Sequence, residues 1–475
     1  MQNKYKLKMF TLDTAKKMNS FIKEHIDELN LKTISEKRNF LVELLKSSNI
    51  NFVLENINRV QSTLLCELKA SYVQQSQRYV RVNNISNSYH FEDLINLSPR
   101  HKFKADELIE EAFNLYKKMS EIKEESKNKS RTTKEDYKYG IPIEDARYIL
   151  PLVINTNISI AMNGSKLIDF IDKTYENSNN MIYLKPILDD LLYELPSSLR
   201  KLIDSYMSDA YKYNRCSKHD ESLIEKFYNK TFSGEKVKVS NLIDKELKDP
   251  LIKTAIGAAT STSKATPSEK LKEWEEDSDV VHPNMVAQHL VSNVLGYGHD
   301  SISEQARNSL VYNMSLVTYH QFIRHRLADN KRQSLKDIFD NEGSKYYIPD
   351  SIKNSDFIYD YKRITEKFND FRKELSKYSY PDPSALFLLN NSMINVHSSI
   401  NYRIEKDVLN ERLCMNSQTE IREISKKKLK VLNEKEPTIM RSARPDCMLE
   451  HGCQEGKLSC GKTSQVKKEI ESIIK

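Results

Sequence analysis

The chain runs to 475 residues, 39% hydrophobic and 9% aromatic, with 74 basic against 67 acidic side chains for a formal charge of +7. That is material for one large or two ordinary domains with packed cores, and too apolar for wholesale disorder. Opposite charges are interleaved, no apolar run approaches the ~20 residues of a bilayer span, and Met1 to Phe10 builds no signal-peptide core, so the expectation is a cytoplasmic protein with neither nucleic-acid nor membrane partners. No complete G-x-G-x-x-G or G-x-x-x-x-G-K-[ST] loop occurs, which leaves side chains to hold any nucleotide. Six cysteines in a chain this long are no disulfide scaffold, and they fit a reducing compartment.

Taken in order, the elements repeat. Lys4–Asp13 alternates like an opening strand, and Glu235–Asp244 alternates the same way 231 residues on. Asn51–Val60 reads as a strand running into an amphipathic segment and matches Ser309–Thr318 at an offset of 258, which also carries Ser76 onto Ser334. The stretch from Ile149 to Asn163 aligns with Phe387 to Asn401 at 238. Drifting offsets mean insertions. Lys117 to Tyr137, rich in Lys, Glu, Ser and Thr, reads as an exposed helix end and a solvated loop. The pattern Leu413, Ile421, Ile424, Leu429 predicts a helix over Glu411 to Leu432. The organisation is thus α+β and duplicated, with the join near Gly234: repeat one over 1–234, repeat two over 235–475 with a cysteine-bearing tail over 441–475.

The densest chemical signal is His320-Gln321-Phe322-Ile323-Arg324-His325-Arg326, followed after seven intervening residues by Ser334. Arginine forks suit phosphate at fixed charge, and histidine can donate or titrate near neutrality. Upstream stands His299-Asp300-Ser301-Ile302-Ser303-Glu304; downstream, Arg412 is followed by Gln418, Glu420 and Ile421. Arg-His-Arg then Ser, a His-x-Ser/Thr-x-x-Glu segment and an Arg-x5-Gln-x-Glu-Ile segment together resemble the flavin-dependent thymidylate synthases. The first repeat carries that family's other pieces, Gln74-Gln75-Ser76-Gln77-Arg78 and Glu144-Asp145-Ala146-Arg147.

The resemblance implies two copies of that fold, each an antiparallel sheet with packed helices, and an enzyme in which NADPH reduces FAD while methylenetetrahydrofolate supplies one carbon to turn dUMP into dTMP. It implies catalytic roles for Arg412, Arg324 and His299. Flavin contacts would fall to His299, Ser301, Glu304, Arg324, His325, Arg326, Asn401 and Arg403, with Asp407 where an asparagine often stands. Nucleotide contacts would fall to Gln74, Ser76, Gln77, Arg78, Arg147, Gln321 and Arg412. Losses are complementary between the repeats. The first has Cys66-Glu67-Leu68 in place of Arg-His-Arg, Leu41 opposite His299 and Thr174 opposite Arg412; the second has Ser334-Leu335-Lys336 and has Ala385 opposite Arg147. One composite pocket per chain is expected, with four unpaired arginines, 78, 147, 324 and 412, awaiting an anion, in a homodimer that mimics the family's tetramer. Other readings are a non-catalytic flavin- or nucleotide-binding relic, or action on another pyrimidine nucleotide.

In the tail, Cys447, His451, Cys453 and Cys460 have the ligand types of a tetrahedral zinc shell. The C-x5-C-x6-C spacing is no standard finger. Reduced thiols capping a local turn is the preferred reading, and no metal is assigned.

Overall fold

Period-two alternation builds two four-stranded sheets. The computed structural model describes residues 5–26, 28–78, 80–85, 88–91, 95–127, 129, 132–211, 237–239, 250–276, 283–335, 338, 346–377 and 383–474; the join near Gly234 lies outside them. The first sheet holds β1 (Lys6–Leu12), β2 (Asn49–Asn58), β3 (Ser71–Gln74) and β4 (Asn155–Asn163) in the order β1-β2-β4-β3. The second holds β5 (Val237–Val239), β6 (Arg307–Ser315), β7 (Asp329–Arg332) and β8 (Met393–Asn401) in the order β5-β6-β8-β7. The orders are the same. Each strand of the first begins 231, 258, 258 and 238 residues before its equivalent, as the sequence offsets require. Pairing is antiparallel at β1–β2, β2–β4, β3–β4, β5–β6 and β7–β8, so the α+β expectation holds.

Strand β4 buries Thr156, Ile158, Ile160 and Met162, and β8 buries Ile394, Val396, Ser398 and Ile400. In β2 the inward set Ile50, Phe52, Leu54 resumes at Ile57, because a bulge with Asn56 at φ 60° absorbs one residue and keeps the apolar face inward.

Besides single turns, the helices are α1 (Ala15–His25), α2 (Ile34–Lys46), α3 (Arg59–Cys66), α4 (Pro99–Met119), α5 (Lys166–Thr174), α6 (Ser178–Tyr193), α7 (Ser197–Ala210), α8 (Pro250–Thr262), α9 (Pro267–Glu276), α10 (Pro283–Gly296), α11 (Leu316–Phe322), α12 (Ile358–Leu375), α13 (Tyr402–Arg412), α14 (Thr419–Lys435) and α15 (Thr463–Ile474). Local chemistry starts them. Thr33 with Glu36, and Asn58 with Gln61, close capping boxes at α2 and α3. The helix expected over Glu411 to Leu432 is two helices: α13 stops at Arg412 and α14 starts at Thr419. The Arg422 Nε–H donates to the Leu413 carbonyl at 3.0 Å and fixes the turn between them. The loop expected after Lys117 is also more ordered than its charge suggests. Buried Asp136 accepts from the Thr133 backbone (2.7 Å) and the Ser126 hydroxyl (2.7 Å).

Compactness divides the chain into two units. One collects the described residues up to Tyr211 with Ser315–Val317 and Ser334–Met393; the other collects the remainder, including Thr318–Gln333 and the chain from Ile394. The first unit thus contains part of both repeats, and inside it equivalent segments meet each other. Leu152 N–H donates to Leu388 O at 2.8 Å and Asn390 N–H to Leu150 O at 2.9 Å, around a bridge of Pro151 with Leu389. The 238-residue shift exchanges the two hydrogen bonds and maps the bridge onto itself, which is the signature of a two-fold contact. The equivalent helices α4 and α12 also pack there: Glu111 takes Lys367 at 2.9 Å and His101 takes Glu374 at 3.1 Å. Among the described residues no helix is long and apolar enough to cross a membrane.

Candidate functional site

Helix α11 brings a buried face, Thr318, Tyr319, Gln321 and Phe322, to the end of β6, and the chain leaves it in a tight turn. Arg324 N–H reaches Gln321 O (3.3 Å) and His325 N–H reaches Phe322 O (3.2 Å), which leaves Arg324 exposed and the His325 and Arg326 side chains half-buried. Arg412, the last residue of α13, arrives from the other side and its Nε–H donates to His325 Nε2 at 2.9 Å. A guanidinium cannot accept, so His325 Nε2 carries the lone pair and Nδ1 the proton. Burial, then the charges of Arg412, Lys428 and Arg324, push the His325 pKa down to about 3. The ring is therefore a neutral donor at physiological pH.

The downstream segment is bolted to α11. Gln321 Nε2 donates to Gln418 Oε1, and the Thr318 hydroxyl to Glu420 at 2.8 Å. Behind these lies a buried ion pair, Lys428 with Glu405, at 2.5 Å. The Lys428 ammonium stands 5.6 Å from the ring centres of both Tyr312 and Phe322, and Asn308 donates to Glu405 at 3.3 Å. Sequence reasoning missed Lys428, since it sits in a Lys426-Lys427-Lys428 run that reads as solvated; only the buried positions of α14 on either side of it, Ile424 and Leu432, place it inward.

His299 and Ser301 are exposed, His299 leading a 3-10 turn over Asp300–Gln305 after Gly298 at φ +79°. Glu304, at the end of that turn, pairs with Arg403. Asn401 caps α13, accepting from Ile404 N–H at 2.9 Å, and Asp407 is exposed on the same helix. These residues fit the flavin that the resemblance implies. The donor set is rich in cations and N–H groups suited to an anionic cofactor, and the Ser303 hydroxyl, 0% exposed, finds no hydrogen-bond partner among the described residues.

In the first unit, Ser76 accepts from Arg78 N–H (3.2 Å) and shapes a turn whose Gln77 side chain is 7% exposed with both amide atoms unsatisfied among the described residues. Gln74 spends its amide on Ser62 at 3.0 Å. Glu144 joins two arginines: its carboxylate holds Arg78 Nε at 2.9 Å and its carbonyl accepts from Arg147 Nε at 3.2 Å. The expectation of four unpaired arginines is therefore corrected, because Arg78 is paired with Glu144 and Arg412 with His325. Arg147 is 5% exposed, and Asn390 donates to its carbonyl at 3.1 Å. Its neighbour Asp145, half-buried and accepting from Ser351 at 2.6 Å, has its carboxyl pushed up to about 6 by desolvation. Ala385, opposite Arg147 in the repeat, is buried in the turn Ser384–Phe387, and Lys336 lies outside the described residues. The structure thus assembles two groups, Gln321, Arg324, His325 and Arg412 in one unit, and Ser76, Arg78, Glu144 and Arg147 in the other.

Comparison with known proteins bears on both groups. The profile of a family described as thymidylate synthase complementing protein matches residues 14–180 and 241–438. A protein named flavin-dependent thymidylate synthase from Pyrococcus abyssi (strain GE5 / Orsay) is 30% identical over 197 residues, 39% of this chain and 80% of the relative. One of that name from Thermococcus onnurineus (strain NA1) is 31% identical over the same shares, and one from Geobacter sulfurreducens (strain ATCC 51573 / DSM 12127 / PCA) is 28% identical over 182 residues, 38% of this chain and 78% of the relative.

Proposed function

Because the chain belongs to the thymidylate synthase complementing protein family, whose relatives carry a flavin-dependent name, we propose that it methylates dUMP to dTMP with FAD, NADPH and methylenetetrahydrofolate. The observation that carries this reading is the Arg412–His325 hydrogen bond, which fixes a cation and a neutral imidazole donor at one point. Bound FAD would supply the hydride and electron transfers that no side chain here can perform. Arg324 and Arg326 would meet its anionic groups, His299 and Ser301 would donate to it, and the Glu304–Arg403 pair would border it. Arg412 would bind the pyrimidine edge and stabilise charge that develops there.

Complementary retention supports one nucleotide site per chain, served by Ser76, Gln77, Arg78 and Arg147 of one repeat and Gln321 and Arg412 of the other. Two such chains would form a homodimer with two sites, in the cytoplasm. The test is spectral and kinetic together. Purified protein should be yellow, and NADPH oxidation should depend on dUMP. Absence of flavin absorbance after incubation with excess FAD would sink the proposal, and flavin binding without dUMP-dependent turnover would favour the relic reading.

A further inference from the structure

In sequence, Cys447, Cys453 and Cys460 have only His451 for a fourth ligand, and Cys414 stands apart. The fold regroups them. Cys414 sits in the turn between α13 and α14, and the tail returns to that turn: Arg444 N–H donates to the Asn410 side chain and the Asn416 amide to Leu458 O, both at 2.9 Å. Cys453 Sγ–H contacts the Ser459 hydroxyl at 3.6 Å, and the same oxygen accepts from Gly461 N–H at 3.4 Å, so one side chain ties the neighbourhoods of Cys453 and Cys460. His451 faces Asp446 instead, at 3.5 Å. All four cysteines are free thiols.

Further observations concern this cluster. Burial raises the Cys447 thiol above its ordinary range, and the charges of Cys414, Cys453 and Cys460 raise it further, so it lies within electrostatic reach of the other three. Cys414 is raised by burial and then by Glu455, Cys460 and Cys453. The tail also holds its shape with little apolar burial. Between Ala443 and Val466, Met448 and Leu449 are half-buried and Leu458 is 48% exposed. Its course depends on Gly452, Gly456 and Gly461 at φ +68°, +50° and +67°, which flank Cys453 and follow Cys460. Asn416 N–H points back at Cys414 Sγ at 3.5 Å, the kind of amide–sulfur contact that supports a metal-bound thiolate.

We propose that Cys414, Cys447, Cys453 and Cys460 bind one Zn(II) as a closed tetrathiolate site that pins the C-terminal tail to the turn following Arg412. Four thiolates leave no open position, so the role is structural. As they stand the sulfurs are not at ligand distances, for among the described residues no three His, Cys, Asp or Glu side chains are arranged to hold an ion. On binding, four S–H protons would leave, four S–Zn bonds of about 2.3 Å would form, and changes of χ1 well would bring the sulfurs inward. The site extends the sequence-level candidate by replacing His451 with Cys414. It stands independently of the proposed catalysis.

Metal analysis of the purified full-length chain after gel filtration in EDTA should give about one zinc per chain, released by a mercurial. Cys414→Ser, Cys447→Ser, Cys453→Ser and Cys460→Ser should each abolish it, whereas Cys66→Ser and His451→Ala should retain it. Cobalt-loaded protein should show the intense visible absorption of a tetrahedral thiolate site. Should the variants fail to fold, the native protein decides: with zinc bound, the four thiols resist Ellman's reagent until metal is stripped. A metal-free native chain whose four thiols react at once, disulfides among them, or zinc lost in His451→Ala would each overturn the proposal.

Discussion

Beneath the turn that follows α11 the second repeat buries charge; at the equivalent place after α3 the first repeat buries hydrocarbon. Glu405 and Lys428, 0% and 4% exposed at their side chains, lie with Asn308, Tyr312 and Phe322. The offsets of 258 for the strand and α11, 238 for α13, and 241 between the starts of α6 and α14 carry these onto Ile50, Leu54, Leu64, Leu167 and Ile187, each 2% exposed or less. Replacing a buried ion pair with well-packed hydrocarbon is often neutral or stabilising. Stability therefore does not explain the pair. Its neighbour does: Lys428 is one of the charges that hold His325 neutral, and the first repeat, with no histidine to govern, does without it. The turn itself follows suit. Cys66 and Leu68 are buried, and Glu67 pairs with Lys173 at 2.8 Å on the wall of a pocket of about 670 Å³, where Arg38, Lys69 and Asp172 also stand. Acid answers base around that pocket, whereas the second repeat presents cations.

The strongest way to break this comparison is Lys428→Ala, which strands the Glu405 carboxylate and should cost about 3–5 kcal/mol in chemical denaturation. Installing the first repeat's pair, Lys428→Ile with Glu405→Leu, should recover most of that loss while flavin affinity stays reduced. If the double variant is as unstable as the single one, the pair is structural and the argument fails.

Next in size are the arginines. A charge-assisted hydrogen bond contributes about 1.5–3 kcal/mol, so Arg78→Ala, Arg147→Ala and Arg412→Ala should each weaken dUMP binding roughly 10- to 150-fold. Pairs drawn from both repeats should be non-additive in calorimetric titration. Lys336→Ala should leave the affinity nearly unchanged; an equal loss there would show two separate sites.

His325 sets a smaller, pH-dependent effect. Its folded pKa lies below the unfolded value of 6.5, so the unfolded chain binds more protons between about 6.5 and about 3. Stability should fall as pH drops through that window, less steeply in His325→Gln. In Arg412→Gln an NMR titration should find the histidine pKa moved up towards 6.5, and an unmoved value would contradict the contact. Smallest of all on the nucleotide is Glu67→Ala: its side chain is 14% exposed beside Lys173 at 18%, so its cost should fall on stability in chemical denaturation, with dUMP affinity intact.

Much of the framework is legible in the sequence because strands alternate. The opening strand and β4 announce themselves through Leu7, Ile158 and Ile160, and their copies fall at the offsets the pattern predicts. The Arg324, His325 and Arg412 motif is legible through its spacing, although nothing in that spacing says that Arg412 meets the imidazole. The rest depends on tertiary contacts. The break after Arg412 is set by Arg422 folding back to Leu413, and helical periodicity runs across it unmarked. Glu144 is readable as a motif letter but not as the partner of two arginines. Cys414 could not be joined to the tail, since the turn that brings Leu458 to Asn416 has no sequence signal.

The pairing of Pro151 with Leu389 has a consequence for dilution and for inheritance. Where such a contact joins two separate copies, it comes apart as the protein becomes scarce, and every substitution is imposed on both sides of the axis. Within one chain the partners are held at an effective concentration in the millimolar range if the connection is short and flexible, whatever the abundance of the protein. Each side also has its own codons. Asn390 can send its amide to the Arg147 carbonyl while Leu152, its counterpart, sits in the core, a specialisation closed to a symmetric pair.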